Sequence, residues 1–161
     1  MIKNLFAALA IAAIFTSCNS QSAFKYNQDF VAKEKSLTPD MMKTETDVER
    51  FAYAKQFDSI AVAGQRMADK IQEKITEIEK MPAPDAKGGD KFKAAALRYF
   101  QYMKKLYISY KNVGDAKTDE ERQAEMVKMQ EIVVQKEQVA NDIRSAQQEY
   151  AAANNFKIEK F

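Results

Sequence analysis

The chain has 161 residues, 30% charged and 46% hydrophobic, with 25 Lys and Arg against 23 Asp and Glu, a single cysteine and no histidine. Near-balanced charge offers no basic face, so nucleic acid is not expected as a partner. The lack of histidine removes His-dependent triads, the imidazole general base, His-rich zinc sites, the Glu-x-x-His pairs of a di-iron bundle and c-type haem attachment.

The first element is a leader. Lys3 precedes an unbroken apolar run of eleven residues, Leu5 to Phe15. A bilayer crossing takes about 20 apolar residues, whereas the core of a secretory signal takes ~7–15. The run ends in Phe15-Thr16-Ser17-Cys18. This resembles the lipobox of bacterial lipoproteins, an aliphatic residue, two small residues and then cysteine, with Phe15 in the aliphatic place. The resemblance implies cleavage between Ser17 and Cys18, a diacylglycerol thioether on Cys18, and acylation (palmitate or a similar chain) of the new amino group. A plain signal peptide with a chance cysteine, or a free structural thiol, is the alternative. An unpaired thiol in an oxidising compartment calls for an explanation, and lipidation supplies one. Two or three acyl chains, at ~0.8 kcal/mol per buried CH₂, would hold the protein at a membrane.

Removal of residues 1–17 leaves 144 residues, enough for one domain. Scarce Gly and Pro beside abundant Ala, Glu, Lys, Gln and Met point to helices. Residues 18–22 read as the lipidated cysteine and a polar tether, at most ~14 Å across its last four residues. A first helix is expected from Ala23, capped by Ser22, with Phe24, Tyr26, Phe30, Val31 and Leu37 on its apolar side. Thr38-Pro39 is expected to interrupt it, with 39–44 as a short extension. Thr46-Asp47-Val48-Glu49 has the form of a capping box. It is expected to open a second helix to about Lys80, with Val48, Phe51, Ala52, Ile60, Ala61, Gly64, Met67, Ala68, Ile71, Ile75 and Ile78 inward. Gly64 is either a point of close helix approach or a tolerated glycine.

Residues 81–89, with Pro82, Pro84, Gly88 and Gly89, form the longest loop. The third helix starts near Asp90. Its seam of Phe92, Ala96, Tyr99, Met103, Leu106, Tyr110 and Val113 steps 4-3-4-3-4-3, and Gly114 is expected as a left-handed stop. A second capping box, Thr118 to Glu121, opens the fourth helix, with Met126, Met129, Ile132, Val133, Val139, Ala140, Ile143, Ala146 and Tyr150 inward. Asn154-Asn155 ends it, and residues 156–161 form a tail whose Phe156 can fold back onto the bundle. The expected fold is all-α: an antiparallel up-down-up-down four-helix bundle over 23–155, with a shorter first helix and long second and fourth helices.

No segment has the spacing of a phosphate loop or a calcium loop. Glu73 with Glu77, and Glu120-Glu121, read as solvated helix faces. No catalytic residue, metal ligand or cofactor site is assigned. Core filling is the preferred reading of Met41, Met42, Met126 and Met129, against a soft interaction surface. Helix 3 carries six aromatic residues. Tyr102 and Tyr107 lie off its seam, which makes them candidates for lining a partner-binding groove.

The mature chain also resembles a small family of bacterial outer-membrane lipoproteins, which includes the leptospiral ErpY-like surface proteins. The residues that carry the resemblance are Tyr26-Asn27 with Val31, Pro82, Asp90-x-Phe92-Lys93-Ala94-Ala95-Ala96-Leu97, the helix 3 tyrosines and Gln147-x-x-Tyr150-Ala151 before Phe156. It implies a helical bundle in the cell envelope, with a host protein among the conceivable partners. The expected function is that of a non-enzymatic binding module for an envelope protein, a host protein or a glycan. The alternative is a structural or chaperone-like envelope protein. In Bacteroidetes-type lipoproteins surface export goes with acidic residues right after the cysteine. The stretch after Cys18 lacks them up to Asp29, so the resemblance implies the periplasmic face of the outer membrane rather than the cell surface.

Overall fold

The computed structural model describes residues 18–83 and 86–158. The leader 1–17, with the expected cleavage residue Ser17, and residues 159–161 of the tail lie outside the described residues. Five helices follow in order: α1 (Cys18–Tyr53), α2 (Phe57–Lys80), α3 (Gly89–Asp115), α4 (Asp119–Val133) and α5 (Lys136–Ala153). α4 and α5 are two lengths of one bent helix, so the architecture is the expected four-helix bundle, all α, running up, down, up and down.

The first helix is not the short one. α1 has 36 residues, about 54 Å at 1.5 Å per residue, and is the longest of the five. It begins at Cys18, so the expected tether is helical and Ser22 caps nothing. Pro39 lies inside it. An internal proline costs about 3 kcal/mol. Burial of Phe30, Val31, Leu37 and Met41 on either side, at roughly 1.5–3 kcal/mol each, outweighs that cost. The capping box at Thr46 is not used either, because the Thr46 hydroxyl donates to the Met42 carbonyl in mid-helix.

The turn falls instead at Ala54-Lys55-Gln56. Lys55 has φ 56°, the Lys55 N–H donates to the Ala52 carbonyl, and the Gln56 N–H donates to Phe51. This is a Schellman ending built without glycine. Tyr53 to Gln56 are all exposed, so no apolar burial is lost by stopping the helix there. Three ion pairs clasp α1 to α2 with their midpoints near this turn: Lys33–Glu77, Asp40–Lys70 and Asp47–Arg66.

α2 and α3 form the tightest pair. A Cβ on Gly64 would lie 2.7 Å from both the Lys111 nitrogen and the Tyr107 carbonyl oxygen. One on Gly114 would lie 2.4 Å from the Ala61 nitrogen. Gly64 is thus a point of close approach. Gly114 is not a left-handed stop: α3 continues through it to Asp115. The α2 residues expected inward from Ile60 to Ile78 are buried, as is the whole α3 seam.

The Thr118–Glu121 capping box forms as expected. The helix it starts bends at Val134-Gln135, where the Gln135 side-chain amide donates to the Glu131 carbonyl, a group inserted into the helical ladder. Before the bend α4 is held only shallowly: Ile132 is its one fully buried residue among those described, and Met126 is 43% exposed rather than inward. α5 buries Ile143, Ala146 and Tyr150 as expected. It ends in a second Schellman turn at Asn155, φ 56°, after which Phe156 folds back to 4% exposure.

Two predictions follow from this geometry. Gly64→Ala and Gly114→Ala should each lower stability in urea melts by about 1–3 kcal/mol, since backbone atoms must move to admit the methyl group. Thr118→Ala should cost about 1 kcal/mol, whereas Thr46→Ala, in the unused box, should stay within about 0.5 kcal/mol of wild type.

Candidate functional site: the amino-terminal cysteine and a tyrosine–carboxylate ladder

Cys18, the expected lipidation site, is the first residue of α1. The end of the bundle that it adjoins is aromatic. The Phe92 and Tyr150 rings stack at 5.0 Å and 14°, and Tyr26, Phe30 and Phe156 pack edge-on around them. Such pairs add about 0.5–1.5 kcal/mol each beyond their area. The cluster gathers the start of α1, the start of α3 and the end of α5 into one unit.

Away from this end, polar rungs cross the bundle. The Tyr99 hydroxyl donates to Glu34 at 2.6 Å, and Tyr110 donates to Glu45 at 2.8 Å. Glu34 and Glu45 are eleven residues apart, as are Tyr99 and Tyr110. Eleven residues make about three helical turns, so each pair faces one way and the two parallel helices α1 and α3 meet in a single register. Nearer Cys18, the Gln147 amide donates to Asn27 at 2.7 Å, both side chains being fully buried.

Burial sets the electrostatics of the ladder. The Tyr99, Tyr107 and Tyr110 hydroxyls are pushed well above the ordinary phenol range, first by desolvation and then by the neighbouring carboxylates. Burial also raises Glu45, although its contacts with Tyr110 and Tyr107 pull the other way. Tyr107 lies beside the Glu45 carboxylate but outside hydrogen-bond geometry, and its hydroxyl and Glu45 Oε1 both lack a partner. Tyr26 rises to about 12 through burial and the nearby Asp90.

The two tyrosines read from sequence as groove-lining are interior. Tyr107 is 0% exposed and Tyr102 7%. The Tyr102 hydroxyl donates to the Ile132 carbonyl at 3.2 Å, and its ring packs with Leu106 and Ile132 as a small second core joining α3 to α4. A partner could reach neither ring unless the helices parted. Of the methionines, Met41 is fully buried, while Met42 is 64% exposed.

The sequence reading assigned nothing to Glu34, which is buried, or to Glu45, which is half-buried. The signal was present: Glu34 occupies a position in the 4-3 series Phe30, Glu34, Leu37, Met41, Thr44, Val48. That series is legible only when the helix is carried through Pro39. Among the described residues, no group of three or more Cys, Asp or Glu is arranged to hold a metal ion, and no helix is long and apolar enough to cross a membrane. The open grooves mix charged and polar side chains with apolar ones such as Val62, Ile108 and Ile132. One of about 320 Å³ between α3 and α4 is bordered by Asn112, Glu125 and Glu131.

Glu45 yields a pH prediction. An acid raised in the folded state stabilises the fold below its unfolded pKa, and that contribution is lost as pH rises through the raised folded value. Glu45→Gln removes the charge. The amide keeps an acceptor for Tyr110 and offers Tyr107 a donor. Urea midpoints of the variant and wild type should therefore coincide near pH 4, and the variant should be the more stable at pH 7. Asp47 and Glu77, lowered by their lysine contacts, slope the other way in both proteins and cancel in the difference.

No family model, no curated protein and no solved structure matches the chain.

Proposed function

We propose that this protein is a lipid-anchored lipoprotein of the bacterial cell envelope, held in the outer membrane by acyl chains on Cys18. Its helical bundle would serve as a non-enzymatic binding module facing the periplasm. The observation that carries the reading is the layout of residues 3–18: a basic start, eleven apolar residues, two small polar residues and the chain's single cysteine. α1 is already helical at Cys18, so an anchor there would join directly to the bundle. A cut before Cys18 would leave the described buried cluster from Ala23 to Phe156 in the mature chain.

A structural or chaperone-like envelope role is the second reading. It is favoured by the burial of Tyr102 and Tyr107, which leaves no aromatic groove on α3, and by the length of α1, about 54 Å of rod. In either case the partner is an envelope protein, a host protein or a glycan rather than nucleic acid.

The test is the intact mass of the protein extracted from bacterial membranes. It should correspond to a chain beginning at Cys18 plus a diacylglycerol and one further acyl group. Cys18→Ser should accumulate as the uncut, unacylated chain. A wild-type chain with an unmodified Cys18 would overturn the anchoring.

A further inference from the structure

The end of the bundle beside Cys18 is built as a firm face. The Asn154 side chain accepts from the Lys87 N–H at 3.2 Å and donates to the Lys87 and Tyr150 carbonyls, both at 2.8 Å. This ties the 81–88 loop to the end of α5. Phe156 packs edge-on against Phe24 and Tyr150, at 5.7 and 5.8 Å, tying the chain after α5 to the first turns of α1.

Three lysines stand out from this face. Lys25, Lys87 and Lys157 are exposed and have no ion-pair partner among the described residues. Lys91 in the same layer is paired with Glu149, which leaves Asp90 and, one turn along α1 from Lys25, Asp29 as the nearby unpaired acids among the described residues. At the opposite end Asp119 is paired with Arg122, and the exposed acids without an ion pair there include Glu49, Asp58 and Glu120 beside Lys55 and Lys117, so charge is graded along the rod.

Distance completes the argument. Six helical residues separate Cys18 from Phe24, a rise of about 9 Å, and the headgroup layer on each side of a bilayer is roughly 5–8 Å thick. Because this segment is helical rather than a slack tether, an acyl chain on Cys18 would bring the lysines to the headgroups, where their long side chains can reach outward.

Resting on the anchoring reading, we infer that the Cys18 end of the bundle, through Lys25, Lys87 and Lys157, docks on an anionic bilayer surface. The bundle then stands end-on, with the Tyr53–Gln56 turn farthest from the lipid. Each lysine near an anionic leaflet strengthens association roughly fivefold, and the attraction is screened by salt.

The experiment uses the full chain purified from membranes and placed in vesicles of phosphatidylcholine, with or without phosphatidylglycerol. A fluorophore is attached at Ala83→Cys, on the docking face, or at Tyr53→Cys, at the far end, and a quencher is carried on the lipid. With phosphatidylglycerol present, quenching at position 83 should exceed that at position 53 severalfold. The anchor alone already places position 83 nearer the lipid, so the lysine contribution is the part of the difference that phosphatidylglycerol adds. That part should be lost in 1 M salt and in the triple variant Lys25→Gln, Lys87→Gln, Lys157→Gln. A difference that phosphatidylglycerol does not increase, or an increase undiminished in the triple variant, overturns the docking face while leaving a lipidated Cys18 in place. If the mass shows an unmodified Cys18, the anchoring falls on its own. Docking is then judged by sedimentation with phosphatidylglycerol vesicles. There the triple variant should bind on the order of a hundredfold more weakly than wild type, and equal binding sinks the proposal.

Discussion

Two glycines allow α2 and α3 to meet backbone to backbone, and the other helices are laid on that pair. At Gly64 and Gly114 no side chain fits between the helices. Close approach brings many atoms to contact distance at once, and in a dense interior such contacts sum. With the pair locked, the isoleucines of α2 and the aromatic seam of α3 present a continuous surface. α1 covers one side of it, and the bent α4–α5 helix covers another. The shallow hold on α4 is the reverse of this arrangement: it rests on α3 through Ile132 and the Tyr102 ring, away from the glycine contact.

On that frame, polar groups set the register. Buried carboxylates and phenols are costly unless they are partnered. Glu34 with Tyr99 and Glu45 with Tyr110 meet this demand in one arrangement of α1 against α3. A slip of one turn would break both pairs together, because both have the same offset. Asn27 with Gln147 does the same between α1 and α5. Apolar packing alone is more tolerant of such slips, so the ladder narrows the choice to a single alignment.

The same alignment bears on function through α1. That helix carries Cys18 at one end, two ladder carboxylates along its length and the exposed Tyr53 at the other end. An anchor at its first residue would orient the whole bundle, since α1 is tied to α2 by ion pairs, to α3 by the tyrosines and to α5 by the aromatic cluster. Such an anchor and the bundle would thereby be parts of one rigid body. The tyrosines that pattern alone suggested for partner recognition serve the interior instead.

What the sequence by itself determined was the helical class, the inward faces of α2, α3 and α5, the Thr118 capping box and the Asn155 ending. These depend on 3.6-residue periodicity and on short-range chemistry, which neighbouring residues carry between them. Only the tertiary structure decided where the first helix ends. Pro39 and the Thr46 box both signalled a break, yet α1 runs through them because the apolar residues around them are buried. It stops at Lys55, whose own chemistry says nothing of a turn. The eight-residue gap between Ala52 and Ile60 in the apolar series was the faint trace of that turn. Tertiary structure likewise decided that Gly114 serves a neighbour rather than a helix end, that Glu34 is buried and Glu45 half-buried against tyrosines of α3, and that Tyr102 and Tyr107 are covered. In each case a contact about thirty or more residues away, or burial by such contacts, outweighed the local preference. A single run of sequence does not display that kind of energy.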